Sequence, residues 1–302
     1  MNELRNDLIN KRQVIIAKER GKRPMDFKEE EVSLEKVLKK IDCPFCEGNE
    51  EETPLAVLTM GDPWNVRVFP NKYPVVTLEG SGIKGYHYVV VEGRDHCKSI
   101  SEYSNEELKE ILQAYKIMVQ QCFEDEDIKY IQILKNYKRG AGASLEHPHS
   151  QIIALNVIPD GKAQREKCLL CEEVEKEFEE KVRVIDSEGD FIAYAPYGSA
   201  FQYQIRIVPQ CHKSSYHLEF KDNDFDELTI LLKRLFKSIN QAIGDIPMNI
   251  CYHFSKDREL TTHFYIEIIP RLSFQAGFEQ GSGVFINTVA PEDAALLLRK
   301  FI

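Results

Sequence analysis

The stretch Gly142-Ala143-Ser144-Leu145-Glu146-His147-Pro148-His149-Ser150-Gln151-Ile152-Ile153-Ala154-Leu155 decides how the rest of the chain is interpreted. Its alternating run from Gln151 onward predicts a β-strand, in which residues 147, 149 and 151 share a direction. Pro148 fixes the backbone between the two imidazoles. One ring, His147, can therefore bind a metal while the next, His149, stays free to react. On the His-x-His pattern alone, a surface loop with two solvated histidines is the alternative.

The composition predicts an ordinary soluble protein of roughly two domains. The chain has 302 residues, with 43% hydrophobic and 29% charged. Its 39 Lys and Arg against 49 Asp and Glu give a net charge of −10, which argues against a nucleic-acid backbone as partner. No signal-peptide pattern and no apolar run near the ~20 residues of a membrane span are present. We therefore expect a cytoplasmic protein with no membrane partner.

Eight cysteines in a cytoplasmic chain predict metal binding rather than a disulfide framework. Four of them form two C-x-x-C pairs, Cys43 with Cys46 and Cys168 with Cys171. The other four are predicted to be small apolar residues in or near structured segments: Cys97, Cys122, Cys211 and Cys251.

One motif is used twice along the chain. His96 and His147 are 51 residues apart, and so are His212 and His263. With the C-x-x-C pairs, this gives two Cys2His2 sets: Cys43, Cys46, His96 and His147, then Cys168, Cys171, His212 and His263. Two thiolates and two imidazoles suit tetrahedral zinc, and four protein ligands indicate structural rather than water-activating metals. The alternative is that these are core cysteines and satisfied polar histidines.

The repeat is not symmetric in its reactive residues. The counterpart of His149 is Tyr265, and the counterpart of Gln151 is Glu267. One half therefore keeps a potential nucleophile, which predicts one active and one structural half. Glu267 is interpreted as a strand-face residue or, with a weak preference, as a partner of a metal ligand. His87, His217 and His253 are predicted to be satisfied or surface residues.

The predicted fold is α+β, with two tandem halves that each form an antiparallel sheet with packed helices. The boundary is placed between residues 158 and 159, in a linker near Pro159-Asp160-Gly161. Strands are predicted at 14–17, 64–74, 86–92, 130–134, 191–195, 203–208 and 248–254. Helices are predicted at 28–40, 104–122 and 225–243, the second with a capping box of Ser104 and Glu107.

Several segments together resemble the galactose-1-phosphate uridylyltransferase branch of the histidine-triad superfamily. His147-Pro148-His149-Ser150-Gln151 and the Cys43-Pro44-Phe45-Cys46 knuckle carry the resemblance. Phe69-Pro70-Asn71-Lys72-Tyr73-Pro74 is similar to the nucleoside-binding segment of that family, and Ala276-Gly277-Phe278-Glu279-Gln280-Gly281-Ser282-Gly283 to its sugar-side motif. The basic opening from residue 12 to 24 also resembles the family's N-terminus. The resemblance covers nearly the whole chain and implies two histidine-triad-like halves.

The resemblance implies a ping-pong nucleotidyl transfer in which His149 attacks the α-phosphorus of a nucleotide sugar. Gln151, Ser144 and Asn136 would donate hydrogen bonds to phosphate oxygens. Asn71 would hold the ribose, and Glu279 would accept hydroxyls of the hexose. The basic opening could hold phosphates or a carboxylate, or be a solvated loop; its candidates are Arg12, Arg20 and Arg23. A neighbouring subunit completes the sugar side in this family, so a homodimer is implied.

The chain departs from the bacterial uridylyltransferases in the residues before His147, which read Ser-Leu-Glu instead of Ser-Asn-Pro. That form, the glycine-rich tail and a second zinc-like set are closer to the ADP-glucose phosphorylase type. Uridylyl and adenylyl donors therefore both stay open, as do a hexose 1-phosphate, phosphate or water as acceptor. The alternative from another class is a zinc-stapled nucleotide-binding protein without turnover.

Overall fold

The computed structural model describes residues 2–22, 39–80, 82–159, 162, 167–213, 222–256 and 263–302. The predicted helix at 28–40 lies outside these residues up to residue 38, and residues 39 and 40 are irregular. Arg23, His217 and most of the predicted linker also lie outside them. No helix in the described ranges has the length and apolar character needed to cross a membrane.

The described residues form thirteen strands and five α-helices. The strands are β1 (Glu3–Asp7), β2 (Arg12–Ile16), β3 (Leu58–Met60), β4 (Val66–Pro70), β5 (Gly85–Glu92), β6 (Tyr130–Tyr137), β7 (His149–Leu155), β8 (Val184–Glu188), β9 (Phe191–Tyr194), β10 (Ile205–Pro209), β11 (Met248–Ser255), β12 (Tyr265–Pro270) and β13 (Val284–Asn287). The helices are α1 (Asn105–Glu124), α2 (Leu169–Glu180), α3 (Asp222–Ile243), α4 (Gly277–Ser282) and α5 (Pro291–Leu298).

A ten-stranded antiparallel sheet has the order β3-β4-β5-β7-β6-β11-β12-β10-β9-β8. The order is symmetric about the β6–β11 pair, because each strand of the first half has its counterpart at the mirror position in the second half. The predicted α+β fold of two tandem halves is thus confirmed. The halves do not keep separate sheets, however. β6 pairs with β11 from Tyr130 opposite Ser255 to Tyr137 opposite Met248, and this seam leaves no exposed edge strand between the halves.

Helices α1 and α3 cover one face of the sheet. The predicted capping box starts α1: the Glu107 backbone N–H donates to Ser104 Oγ at 3.2 Å, and the Ser104 N–H donates to Glu107 Oε2 at 2.8 Å. The apolar stripe of α1 is buried between the sheet and α3. Each buried leucine or isoleucine stabilises this layer by roughly 1.5–3 kcal/mol.

The other face differs between the halves. In the second half it is covered by α2 and by the N-terminal hairpin β1–β2, which also pairs in parallel with β13 in a three-stranded sheet. Gly198 permits this close approach, since a Cβ there would lie 2.5 Å from the backbone of Asn6. In the first half, the same face carries the His-Pro-His segment. The boundary at residue 158 stays a prediction.

Candidate active site

The first Cys2His2 set is assembled by the fold. The ligand atoms of Cys43, Cys46, His96 and His147 all lie within 4.8 Å of one another, and all four residues are buried. Cys46 Sγ is 3.4 Å from His96 Nδ1 and 3.5 Å from His147 Nδ1. Zinc with ligand bonds of roughly 2.3 and 2.0 Å in a tetrahedron puts sulfur and nitrogen about 3.5 Å apart. The donor set and its spacing therefore fit a tetrahedral metal ion.

A backbone carbonyl sets the orientation of the His147 ring. His147 Nε2 donates to the carbonyl oxygen of Gly93 at 2.9 Å, which leaves Nδ1 facing the thiols. Burial lowers the pKa of His147 to about 4, so the ring is neutral at pH 7. Neutral imidazole is the form that binds a metal.

The second set is also brought together, nearer to the surface. Cys171 Sγ is 3.3 Å from His212 Nδ1 and 3.6 Å from His263 Nδ1, and Cys168 Sγ is 3.4 Å from His263 Nδ1. These four ligand atoms also lie within 4.8 Å of one another, although His212 is exposed. Both predicted sets can thus hold a metal ion.

His149 is kept out of the metal cluster by its own hydrogen bond. Its Nδ1 lies 2.8 Å from the carbonyl oxygen of His147, which can only accept, so Nδ1 carries the proton. The Nε2 lone pair is therefore available for nucleophilic attack. Burial lowers the pKa of His149, and the neutral ring predominates at pH 7. β7 begins at His149, two residues before the predicted start of the strand.

An apolar wall lies beside His149. The ring of Phe45 is 5.3 Å from the ring of His149, edge on, and 5.8 Å from the ring of Phe69. Val89 and Val91 of β5 complete the buried cluster, with Trp64 and Leu145 packed against it. Phe45 is the third residue of the Cys43–Cys46 knuckle, so the segment that supplies two thiols also lines the face around His149. This face, with His149, Gln151, Phe45 and Phe69, is the candidate substrate cleft.

The predicted polar residues of the first half surround the same face. Gln151 is two residues from His149 along β7, opposite Leu134 of β6, and Asn136 follows on β6. Asn71 comes directly after β4, where its backbone N–H donates to the carbonyl oxygen of His87 at 2.8 Å. Ser144 is exposed in the loop that leads from β6 to His147.

Other predicted residues lie apart from His149. The guanidinium of Arg12 lies 5.1 Å over the ring of Phe285 in the N-terminal sheet. Arg20 is exposed in a short 3-10 helix, Lys18–Lys22. Glu279 Oε2 accepts from the Ala276 N–H at 3.0 Å and caps α4. Within the described part of one chain, no contact joins these three residues to the His149 cluster, and their substrate roles stay predictions.

In the second half, a buried charge network occupies the place that corresponds to His149 and Gln151. Glu267 Oε1 accepts from Arg206 Nη2 at 2.9 Å and from Asn10 Nδ2 at 2.9 Å. Arg206 also binds Asp7 at 3.2 Å, and the Tyr265 hydroxyl lies 2.5 Å from Lys162 Nζ. Glu267 therefore contacts the N-terminal hairpin and not, as the sequence favoured, a metal ligand.

Sequence reasoning missed two residues that contact the predicted amides. His87 is buried, and its Nε2 lies 2.8 Å from Gln151 Oε1. Asn249 of β11 contacts Asn136 across the seam at 2.8 Å. The only sequence signal for His87 is its place two residues before Val89 on the cleft-facing side of β5, and Asn249 carries no motif.

The chain is similar over nearly its whole length to characterised enzymes. A family model described as "Domain of unknown function (DUF4921)" matches residues 83–299. An ADP-glucose phosphorylase from Arabidopsis thaliana is 34% identical over 331 residues, covering 99% of this chain and 92% of that protein. A galactose-1-phosphate uridylyltransferase from Thermotoga maritima is 27% identical, covering 99% and 98%.

Solved structures with a similar fold belong to the same kinds of protein as these relatives. A crystal structure of an ADP-glucose phosphorylase from Arabidopsis thaliana with bound ADP-glucose superposes with a TM-score of 0.81 at 32% identity, covering 99% of each chain. The matched region includes both halves of the chain. The chain belongs to the galactose-1-phosphate uridylyltransferase branch of the histidine-triad superfamily and is an enzyme of the nucleotidyltransferase type.

Proposed function

We propose that this enzyme transfers an adenylyl group from an ADP-sugar to inorganic phosphate, through a covalent adenylyl-His149. The observation that carries the proposal is the hydrogen bond from His149 Nδ1 to the carbonyl oxygen of His147, which frees Nε2 as a nucleophile. The choice of adenine is supported by the greater identity to the ADP-glucose phosphorylase, 34% against 27%, and by the Ser144-Leu145-Glu146 sequence before His147.

In the first step, His149 Nε2 attacks the α-phosphorus and forms an N–P bond. The bond from that phosphorus to the bridging oxygen breaks, and the sugar 1-phosphate leaves with the electron pair. In the second step, an oxygen of inorganic phosphate attacks the same phosphorus. The N–P bond then breaks, ADP leaves, and the imidazole is restored. Two steps through a covalent intermediate replace one more difficult displacement.

The surrounding residues have separate tasks in this scheme. Gln151, Asn136 and Ser144 present neutral donors to the phosphate oxygens, where charge develops during transfer. Asn71 binds the ribose. The apolar wall of Phe45 and Phe69 accepts the nucleoside, since aromatic rings pack well against a planar base.

Zinc is the metal that both Cys2His2 sets would hold, because thiolates and imidazoles at tetrahedral spacing suit it. With four protein ligands, zinc supplies a cross-link and not an activated water. Cys43, Cys46, His96 and His147 would fix the start of β7 and hence the position of His149. Cys168, Cys171, His212 and His263 would brace the second half.

The proposal includes a cytoplasmic homodimer. Around Glu279, the side chains of Phe274 and Phe278 are 76% and 50% exposed, and neighbouring exposed apolar side chains mark interaction sites. A second copy that covers this segment would bring Glu279 to the sugar of the partner's cleft. Size-exclusion chromatography with light scattering tests the dimer.

Incubation with ADP-glucose or UDP-glucose, each labelled at the α-phosphate, tests the function. We expect an acid-labile, alkali-stable protein label from ADP-glucose, which inorganic phosphate discharges as labelled ADP. A label from UDP-glucose alone, discharged by a hexose 1-phosphate, would establish the uridylyltransferase alternative. No label from either donor would overturn the proposal and support a binding protein without turnover.

A further inference from the structure

The amide of Asn136 is oriented by a residue from the other half of the chain. Asn249 Nδ2 lies 2.8 Å from the carbonyl oxygen of Ala141 and 2.8 Å from Asn136 Oδ1. A backbone carbonyl can only accept, so this end of Asn249 is its NH2 group. The second hydrogen of that group needs an acceptor, and among the described residues the oxygen of Asn136 provides it. Asn136 therefore keeps its own NH2 group for the cleft.

The amide of Gln151 is oriented in the same way by His87. The Val75 backbone N–H lies 3.1 Å from His87 Nδ1 and can only donate, so Nδ1 is unprotonated and the ring proton is on Nε2. His87 Nε2 then donates to Gln151 Oε1 at 2.8 Å. The NH2 group of Gln151 stays available. Burial lowers the pKa of His87, which keeps the ring in this neutral form at pH 7.

The His87 ring also lies beside a second amide, that of Asn71. Asn71 Oδ1 accepts from the Tyr73 N–H at 2.8 Å, so its Nδ2 is the atom that lies 3.1 Å from His87 Nε2. Because the single proton on Nε2 is directed at Gln151 Oε1, which lies nearer at 2.8 Å, the contact with Asn71 Nδ2 places two donors side by side and is not a hydrogen bond. This contact opposes the tautomer, whereas the Val75 N–H at Nδ1 favours it. Asn71 therefore keeps both amide hydrogens, as the other two amides do. Each of the three orientations depends on a backbone group of fixed polarity.

We infer that His87 and Asn249 are positioning residues, which hold the amides of Gln151 and Asn136 with oxygen inward and NH2 toward the α-phosphate. This inference rests on the proposed function, which supplies the phosphate. A free amide can turn over and present its oxygen, which repels a phosphate oxygen. Fixing two amides in advance preserves two donors in the transition state without reorganisation.

Substitution of each positioning residue tests its role. Asn249→Asp replaces the donor by a carboxylate, which accepts from Asn136 NH2 and turns that amide over. His87→Leu removes the donor to Gln151, whereas His87→Gln places an amide N–H near the former Nε2 and restores it. We expect Asn249→Asp and His87→Leu to slow adenylyl-His149 formation about 100-fold, the loss typical of one oxyanion donor, with kcat falling more than KM changes. His87→Gln should form adenylyl-His149 at least tenfold faster than His87→Leu.

The matched control is His253→Gln, which removes a buried imidazole from the second half. We expect its rate to stay within about twofold of wild type, and all variants to keep wild-type zinc content. Equal rates in His87→Leu and wild type would overturn the inference for His87, and equal rates in Asn249→Asp would overturn it for Asn249.

A measurement independent of activity separates this inference from the proposed function. Nitrogen-15 NMR of the zinc-loaded protein should show the His87 proton on Nε2 and an unprotonated Nδ1. A proton on Nδ1 overturns the inference even if the adduct forms. If no nucleotide sugar labels the protein but His87 is protonated on Nε2, the orientation stands and the proposed function fails.

Discussion

At the scale of single residues, two backbone carbonyls orient the imidazoles of His147 and His149 differently. Gly93 O accepts from Nε2 of His147, and His147 O accepts from Nδ1 of His149. The first ring therefore offers Nδ1 to the thiols, and the second offers Nε2 to the cleft. The hydrogen-bond pattern, more than the identity of the residues, separates a ligand from a nucleophile.

This separation predicts the behaviour of His149→Ala. The variant should form no nucleotide adduct with any donor, because the attacking nitrogen is absent. Its zinc content should equal that of wild type, since His149 is not a ligand. Intact-protein mass spectrometry and metal analysis measure the two quantities on one sample. Loss of metal in this variant would contradict the division of labour between the two rings.

The residues that repeat along the chain could be predicted from the sequence. The residues that form hydrogen bonds between neighbouring strands could not. The eight candidate metal ligands follow from two C-x-x-C pairs and two equal histidine intervals. His87 and Asn249 do not repeat, and their partners are 64 and 113 positions away along the chain. Which strand lies beside which is not encoded in local periodicity, so these contacts could not be predicted.

At the scale of elements, the Cys43–Cys46 knuckle joins the metal cluster to the cleft. Phe45 lies between two thiol ligands in the chain, and its ring is 5.3 Å from the ring of His149. A metal ion bound at the cluster would therefore fix the wall as well as the start of β7. The long elements α1, α3, β5 and β11 were predictable from their periodicity, whereas the three residues of β3 and the six of α4 are too short to show one.

This coupling predicts that Cys46→Ser impairs both metal binding and chemistry. Zinc should fall by one ion per chain, because Cys46 contacts both histidines of its cluster. Adduct formation should fall at least tenfold, and the melting temperature should drop, since a structural metal ion stabilises only the folded state. Cys211→Ser, at an exposed cysteine outside both clusters, is the control and should match wild type. Unchanged zinc in Cys46→Ser would refute the assignment of this ligand.

At the scale of the whole molecule, the N-terminal hairpin makes the two halves unequal. Asp7 and Asn10 of this hairpin pack on the face of the second half. Asp7 forms an ion pair with Arg206, and Asn10 donates a hydrogen bond to Glu267. The corresponding face of the first half carries His149, and this hairpin does not cover it. Neither this covering nor the seam between β6 and β11 could be predicted, because both depend on strand order rather than on any one segment.

The buried network predicts a pH-dependent difference in stability. Burial raises the pKa of Glu267, but the charges of Arg206 and Lys162 outweigh this effect and lower the pKa to about 2. An unfolded glutamate has a pKa of about 4.3, so the stabilisation is complete above that pH and is lost as pH falls toward 2. Glu267→Gln should be less stable than wild type at pH 7 by about 3 kcal/mol, the loss typical of a broken buried ion pair.

Urea unfolding of both proteins from pH 7 downward measures this difference. The gap in unfolding free energy should shrink below about pH 4.3. Because the metal ligands titrate in both proteins, their contribution cancels in the comparison. A gap that stays constant with pH would show that the charge of Glu267 does not stabilise the fold.

The seam has a consequence for how such a duplicated enzyme can evolve. Asn249 belongs to the copy that has no nucleophile, yet its hydrogen bond reaches an amide in the copy that has one. Deletion of the second half would therefore disturb the candidate active site in the first half. The two halves, expressed as separate polypeptides divided near residue 159, should each be inactive. Turnover should return when they are mixed and the β6–β11 pair forms between them.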